Sequence, residues 1–159
     1  MVAIDPNLVL SVILVMVTCL LFFLAWQETR IVRQEARTVI ANYINTEVGR
    51  KDVQEVRTKV LREISLESVA PGKPLPPLPD DLPEKDLLML AVAYDRLAFL
   101  VKGNRGLEKE VVEWHREVIE VWLRLRRYVV EEWRKEEGRS HRVELWEAMA
   151  ERWAEKLPK

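Results

Sequence analysis

The sequence predicts an all-α protein, a single N-terminal transmembrane helix continuing into a cytoplasmic helical bundle built on a long helical hairpin. Three observations predict it. The run Leu8 to Trp26 (LVLSVILVMVTCLLFFLAW) carries no charge. The rest of the chain is dominated by Glu, Arg, Leu and Val, with apolar residues recurring every three or four positions, the period of an amphipathic helix. Glycine is scarce, at 5 of 159 residues.

The apolar run comes first. As a helix it spans roughly 28 Å, close to the hydrocarbon thickness of a bilayer. In lipid a lone spanning segment must satisfy its own backbone hydrogen bonds, so it must be helical. Asp5 is placed to cap it, and Pro6 at the first helical position sacrifices no hydrogen bond. Trp26 closes the run, where an indole prefers the membrane interface. Arg30, Arg33 and Arg37 follow, and no Lys or Arg precedes Arg30. The positive-inside rule then puts residues 1–26 down as a short outside tail and anchor, with the remainder in the cytoplasm. A cleaved signal peptide would have a basic start, a shorter core and a small-x-small site, which Phe23-Leu24-Ala25 does not offer. Thr18-Cys19 is a poor lipoprotein site, because the basic start is missing and Cys19 lies deep in the run. A buried core helix would need a larger domain around it.

Residues 27–69 read as juxtamembrane helices. Val32, Ala36, Val39, Ile40, Tyr43 and Ile44 continue an apolar stripe, so the first helix is expected to run to about Glu47 and stop at Gly49. Asp52 and Glu55 have capping-box spacing and open a second helix. Its stripe, Val53, Val56, Val60 and Ile64, is narrow, which suits a surface helix or one docked on a partner.

Residues 70–83, APGKPLPPLPDDLP, hold six of the eight prolines and form a linker. Proline lacks a donor and resists helix, so the stretch is expected to be extended. It is either a ligand for a proline-recognising domain or a stiff spacer crossing the bundle surface, and the spacer is the commoner case.

Residues 84–159 are expected to form a three-helix bundle. Asp81 and Glu84 repeat the capping-box spacing. The third helix, about Glu84 to Lys102, is apolar on several faces (Leu87, Leu90, Ala91, Tyr94, Leu97 and Val101 among them), with Val92, Phe99 and Leu100 widening the surface, and should be the buried centre. Gly103-Asn104-Arg105-Gly106 reads as a tight turn between antiparallel neighbours. A fourth helix from Leu107 to Glu137 would be the spine, about 45 Å long, with Val111, Trp114, Val118, Trp122, Leu125 and Trp133 on its stripe and Gly138 at its end. Ser140 caps a fifth helix, to about Lys156, with Val143, Trp146, Met149, Ala150 and Trp153 facing inward.

Chemistry-bearing patterns are few. Setting Asp5 aside, the acidic residues after Trp26 equal the 25 basic ones, and that balance argues against nucleic-acid binding. The single cysteine, Cys19, is in the apolar run, so no intramolecular disulfide is expected. His115 and His141 lack the Glu-x-x-His spacing of a di-iron bundle, and His141-x-x-Glu144 falls short of a metal site. No glycine-rich phosphate loop or nucleophile elbow is present. The expectation is therefore no catalytic, cofactor-binding or metal residue and no cofactor.

Asp95, inside the apolar third helix, is read as a buried ion pair with Arg124, Arg126 or Arg127. Those three arginines are either a headgroup-facing or partner-facing patch or a solvated face paired with Glu120, Glu131 and Glu132. Four of the five tryptophans from Trp114 onward read as core, with Trp133 as an exposed anchor for a partner. Ser11, Thr18 and Ala25 are small residues at seven-residue spacing, a candidate packing face for a second anchor helix or another membrane protein.

The order of parts resembles a bacterial and archaeal family of small uncharacterised membrane-anchored helical proteins with a domain of unknown function. The anchor, AYDRLAFLVKGNRGLEKEVVEWHREVIEVWLRLRRYV and ELWEAMAERWAEK carry the resemblance. It implies a single-pass helical fold and no catalytic residues. The functional expectation is a cell-membrane interaction or scaffold protein, with the lipid bilayer and a second copy or a membrane protein as partners. The alternatives are an accessory subunit of a larger membrane complex and a membrane-bound enzyme with an unrecognised site.

Overall fold

A computed structural model describes residues 6–135 and 143–156. Asp5, Gly138 and Ser140, to which the sequence assigned capping or stop roles, and His141, weighed as a metal ligand, lie outside the described residues. Every described element is helical. The elements are α1 (Pro6–Tyr43), a π turn (Ile44–Val48), α2 (Lys51–Glu63), α3 (Glu84–Val101), α4 (Arg105–Trp114), α5 (Glu117–Glu131), a 3-10 turn (Trp133–Lys135) and α6 (Glu144–Ala154). The chain divides into two compact units that meet in sequence between Val39 and Ile40.

The first unit is the long apolar helix. It is long and apolar enough to cross a membrane, and none of its most apolar window is covered by the rest of the chain. Leu14, Met16 and Phe22 are each about two-thirds exposed or more. The helix runs through Tyr43 without interruption, as the continuing stripe predicted.

The second unit begins at Ile40, so the helix end and α2 belong with the domain that the sequence reading started at residue 84. Ile40 is buried, and the Tyr43 hydroxyl donates to the Ala93 carbonyl of α3 at 3.0 Å. The helix then widens into the π turn, and Gly49 N–H closes it on the Ile44 carbonyl at 2.6 Å. Gly49 is indeed the stop, for a reason other than a left-handed backbone: its φ is −80°, and an added Cβ would lie 2.8 Å from the Asn45 carbonyl oxygen.

The α2 stripe of Val53, Val56, Val60 and Ile64 is buried against α3 and α5. Its docking partner is thus this same chain. Neither expected capping box forms. Arg50 occupies the cap of α2 and Pro83 that of α3, and neither uses a side chain. Asp52 sits two residues past the cap, inside α2, where it pairs with Arg50 and accepts from its neighbour Val53 N–H. Asp81 pairs instead with Lys59, 3.2 Å away.

The proline stretch lies across the bundle surface. Arg127 Nη1 of α5 donates to the Ala70 and Lys73 carbonyls, and the Tyr128 hydroxyl donates to the Pro76 carbonyl at 3.0 Å. Val69 and Leu82, at its two ends, are buried. Turns at its two ends are closed by Lys73 N–H on the Ala70 carbonyl and Leu82 N–H on the Pro79 carbonyl. Where the prolines leave carbonyls without internal donors, α5 supplies donors to those of Lys73 and Pro76.

Buried α3 is the centre, as its composition predicts, with Leu87, Leu90, Tyr94 and Leu97 wholly enclosed. Its closest packing is with α6 and α2. Val92 and Phe99 stay exposed. The turn after α3 is shorter than read: Gly103 takes φ +83°, and Asn104 already caps α4 by accepting from Leu107 N–H. The largest departure is the spine. The expected helix from Leu107 to Glu137 breaks at His115 and Arg116, then ends at Glu131. No proline or glycine lies at the break. His115 leaves the helix at φ −131°, ψ 60°, and its carbonyl accepts from Val118 N–H at the start of α5.

Helix α6 packs on both α3 and α5. Trp146 is its centre, with ring centroids 5.1 Å from both Tyr94 and Trp122. Its indole N–H donates to the Val118 carbonyl at 3.0 Å, whereas that of the equally enclosed Trp122 has no protein partner.

Candidate functional site

Among the described residues, three of the places where polar side chains enter the domain centre on an acidic side chain of α3, α4 or α5, and each joins helices. At the α4–α5 break, Glu117 Oε1 accepts from Arg57 Nη1 of α2 at 3.0 Å and lies 3.2 Å from His115 Nδ1. Burial alone would raise the Glu117 carboxyl. Hydrogen bonds from His115 and a backbone N–H, with the Arg57 charge, outweigh it and hold the group below its ordinary value. Close by, the buried Tyr94 hydroxyl has no protein hydrogen-bond partner, and burial pushes its pKa up. His115 and Glu117 resemble an acid–base pair, but Arg57 takes the same carboxylate oxygen. The result is a charge-balanced clamp between α2 and the break.

Glu108, in the first turn of α4, is the buried charged residue of the described core, at 3% exposure. Arg152 Nη1 of α6 donates to both its oxygens, at 2.7 and 2.6 Å, and Trp153 Nε1 donates to Oε1 at 2.7 Å. Its position near a helix N-terminus also favours the negative charge.

Asp95 makes no pair with the α5 arginines, contrary to expectation. Its Oδ1 accepts from the backbone N–H groups of Leu145 and Trp146, both at 3.0 Å. These are orphan donors at the start of α6, so a carboxylate from α3 caps a helix far away in sequence. The residue ahead of α6, Val143, is buried in a left-handed conformation and offers no polar side chain.

The remaining sequence candidates are placed as follows. Arg127 is committed to Glu131 and to the linker carbonyls, and Arg124 Nη1 donates to the Glu120 carbonyl. Arg126 is partly buried. The patch is therefore used largely inside the domain, with the i,i+4 pairing to Glu131 legible in sequence and the linker contacts not. Trp133, expected to be exposed, is 4% exposed, because the 3-10 turn after α5 tucks it back onto that helix. Trp114, expected in the core, is 82% exposed. The inward face of α4 is Leu107, Glu108, Val111 and Val112, and Trp114 lies about a quarter turn away from it. Trp122 and Trp146 are buried, and Trp153 partly so.

On α1, Ser11, Thr18 and Ala25 are all exposed. Thr18 Oγ1 donates to the Leu14 carbonyl at 2.8 Å, so its hydroxyl is satisfied within the helix. Beyond the apolar run, Trp26, Thr29, Arg30, Arg33, Gln34 and Arg37 line a shallow groove, with the Arg30 guanidinium 5.8 Å from the centre of the Trp26 ring.

Among the described residues, no group of three or more His, Cys, Asp or Glu side chains is placed to hold a metal ion. No protein-family model matches the chain, and no curated protein or solved structure matches it.

Proposed function

We propose that this is a single-pass membrane protein whose cytoplasmic helical domain serves as an interaction or scaffold module. One observation carries the reading: the apolar window of α1 is wholly uncovered by the rest of the chain. Exposed apolar surface on that scale costs about 25 cal/mol per Å2 in water, and a bilayer removes the cost. The arginines that follow Trp26 support an inside C-terminal domain and an outside N-terminus. The domain is read as built on a hairpin through Gly103, whose left-handed backbone turns the chain from α3 into α4. Among the described residues the polar groups named above join helices rather than gather into a reacting constellation, and that favours a scaffold role over a membrane-bound enzyme.

A second reading, an accessory subunit of a larger membrane complex, is favoured by Trp114, a large aromatic exposed on the domain surface. The Ser11, Thr18 and Ala25 face would be where the anchor meets a second copy or another membrane protein. Purification from gentle detergent separates the two. A stoichiometric membrane protein that is lost on Trp114→Ala favours the subunit, while a chain recovered alone or with its own copies favours the scaffold. Protease added outside sealed spheroplasts should leave the domain uncut, and digestion there would reverse the orientation.

A further inference from the structure

The charges that follow the apolar run of α1 are sorted by face. At 100° per residue, Trp26, Arg30, Arg33 and Arg37 fall within about 60° of one another, while Glu28 and Glu35 fall on the opposite side. The three arginines and Trp26 line one shallow groove with Thr29 and Gln34. We propose that this face is a binding site for the phosphodiester headgroups of anionic phospholipids, in the leaflet where α1 leaves the membrane. The inference rests on α1 spanning a bilayer.

Helix geometry supports it. The Cα–Cβ bonds of an α-helix tilt toward its N-terminus, which here is the apolar run. Arginines at these positions can therefore reach back toward the lipid. Arg30 already does so, its guanidinium lying over the Trp26 ring one turn earlier. From Arg30 to Arg37 the backbone rises about 10 Å, so guanidinium groups reaching back from these positions cover the depth of a headgroup layer. Apolar stems can lie along the acyl boundary while the charged ends stay among phosphates. Arginine also presents paired donors that match two phosphate oxygens, which zwitterionic lipids share, but only an anionic lipid leaves a net charge to be neutralised. Glu28 and Glu35, turned the other way, leave that attraction in place.

The full chain, purified in mild detergent, is offered phosphatidylglycerol or phosphatidylcholine and weighed by native mass spectrometry. Phosphatidylglycerol should be retained on the order of tenfold better, since each arginine near an anionic surface adds to the attraction. The triple variant Arg30→Gln, Arg33→Gln, Arg37→Gln should lose the preference. Arg30→Lys, Arg33→Lys, Arg37→Lys should keep most of it, and Glu28→Gln with Glu35→Gln should keep all of it. Equal retention of the two lipids by the wild-type chain, or a preference that survives the glutamine variant, overturns the proposal. Loss of phosphatidylglycerol to excess inorganic phosphate would also overturn it, by assigning the face to a soluble anion. Alkaline carbonate washing of native membranes tests the anchor separately. A chain that stays in the pellet but shows no lipid preference refutes the headgroup site alone, and a chain released by carbonate refutes both.

Discussion

Asp95 and Glu108 lie on different helices, and both make their main contacts to α6. Asp95→Ala should cost about 1–2 kcal/mol, the usual loss for an N-cap, read as a lower denaturant midpoint. Asp95→Asn keeps the accepting oxygen and should cost less. Glu108→Ala strands the Trp153 indole N–H and half-exposed Arg152, and should cost about 2–3 kcal/mol, the range of hydrogen bonds to a charged group. If Glu108→Ala unfolds at the wild-type midpoint, the clamp between α4 and α6 contributes nothing. Glu117 adds a pH dependence. Its folded-state pKa lies below the ordinary value, so the unfolded chain binds the proton more tightly. The stabilisation is present above the ordinary carboxylate pKa and is lost as pH falls through the folded value. Glu117→Gln should flatten that part of an acid-unfolding curve, and a curve of unchanged steepness would remove Glu117 from it.

Gly49 and Gly103 follow helix ends for different reasons, Gly106 lies inside a helix, and each makes its own prediction at the level of the element. Gly49→Ala should destabilise by about 1–3 kcal/mol, because its Cβ would press on the Asn45 carbonyl and nothing flexible can yield. Gly103→Ala is strained by the positive φ, although the space around it is open. Gly106→Ala should do the opposite and stabilise by up to about 1 kcal/mol, since Gly106 lies within α4 and its Cβ would meet only the Asn104 side chain at 3.4 Å. Thermal midpoints of the three variants check all three signs. The elements themselves were mostly legible: apolar spacing placed α2, α3 and the inward face of α6, and the proline cluster placed the linker. The break at His115 was not. A search at helical spacing never pairs residues two apart, because they point to different sides of a helix. His115 and Glu117 meet because the helix is interrupted, and the clamp with Arg57 then rests on a contact from α2. The misplacing of Trp114 has the same origin, since a stripe drawn through an unbroken spine turns it inward, whereas Trp133 lay on that stripe and was read as exposed only from its place near the end of the spine.

For the whole molecule, the long apolar helix was legible from composition, because its length and hydropathy are summed properties of the segment. The boundary of the folded domain was not, because it depends on which residues are covered. Ile40, Val48, Val53 and Val60 are buried with α3, yet their stripe is too thin to show that without knowing its neighbours. The domain therefore starts inside a continuous helix, near Ile40. A chain starting at Arg37, one turn earlier, keeps the Tyr43–Ala93 hydrogen bond and every buried residue of the second unit. Among the described residues its large exposed apolar side chains are Val39, Leu66, Val92, Phe99, Trp114 and Val130, set on several different elements and unlike the continuous surface of α1. This shortened protein should be monodisperse without detergent, helical by circular dichroism, and unfold in one cooperative transition. A version starting at Asp52 loses the buried Ile40 and Val48 and the half-buried Tyr43 with its hydrogen bond, and should be less stable by several kcal/mol, since each buried apolar side chain contributes about 1.5–3 kcal/mol. If the two shortened chains unfold at the same midpoint, the end of α1 and the π turn are not part of the folded domain.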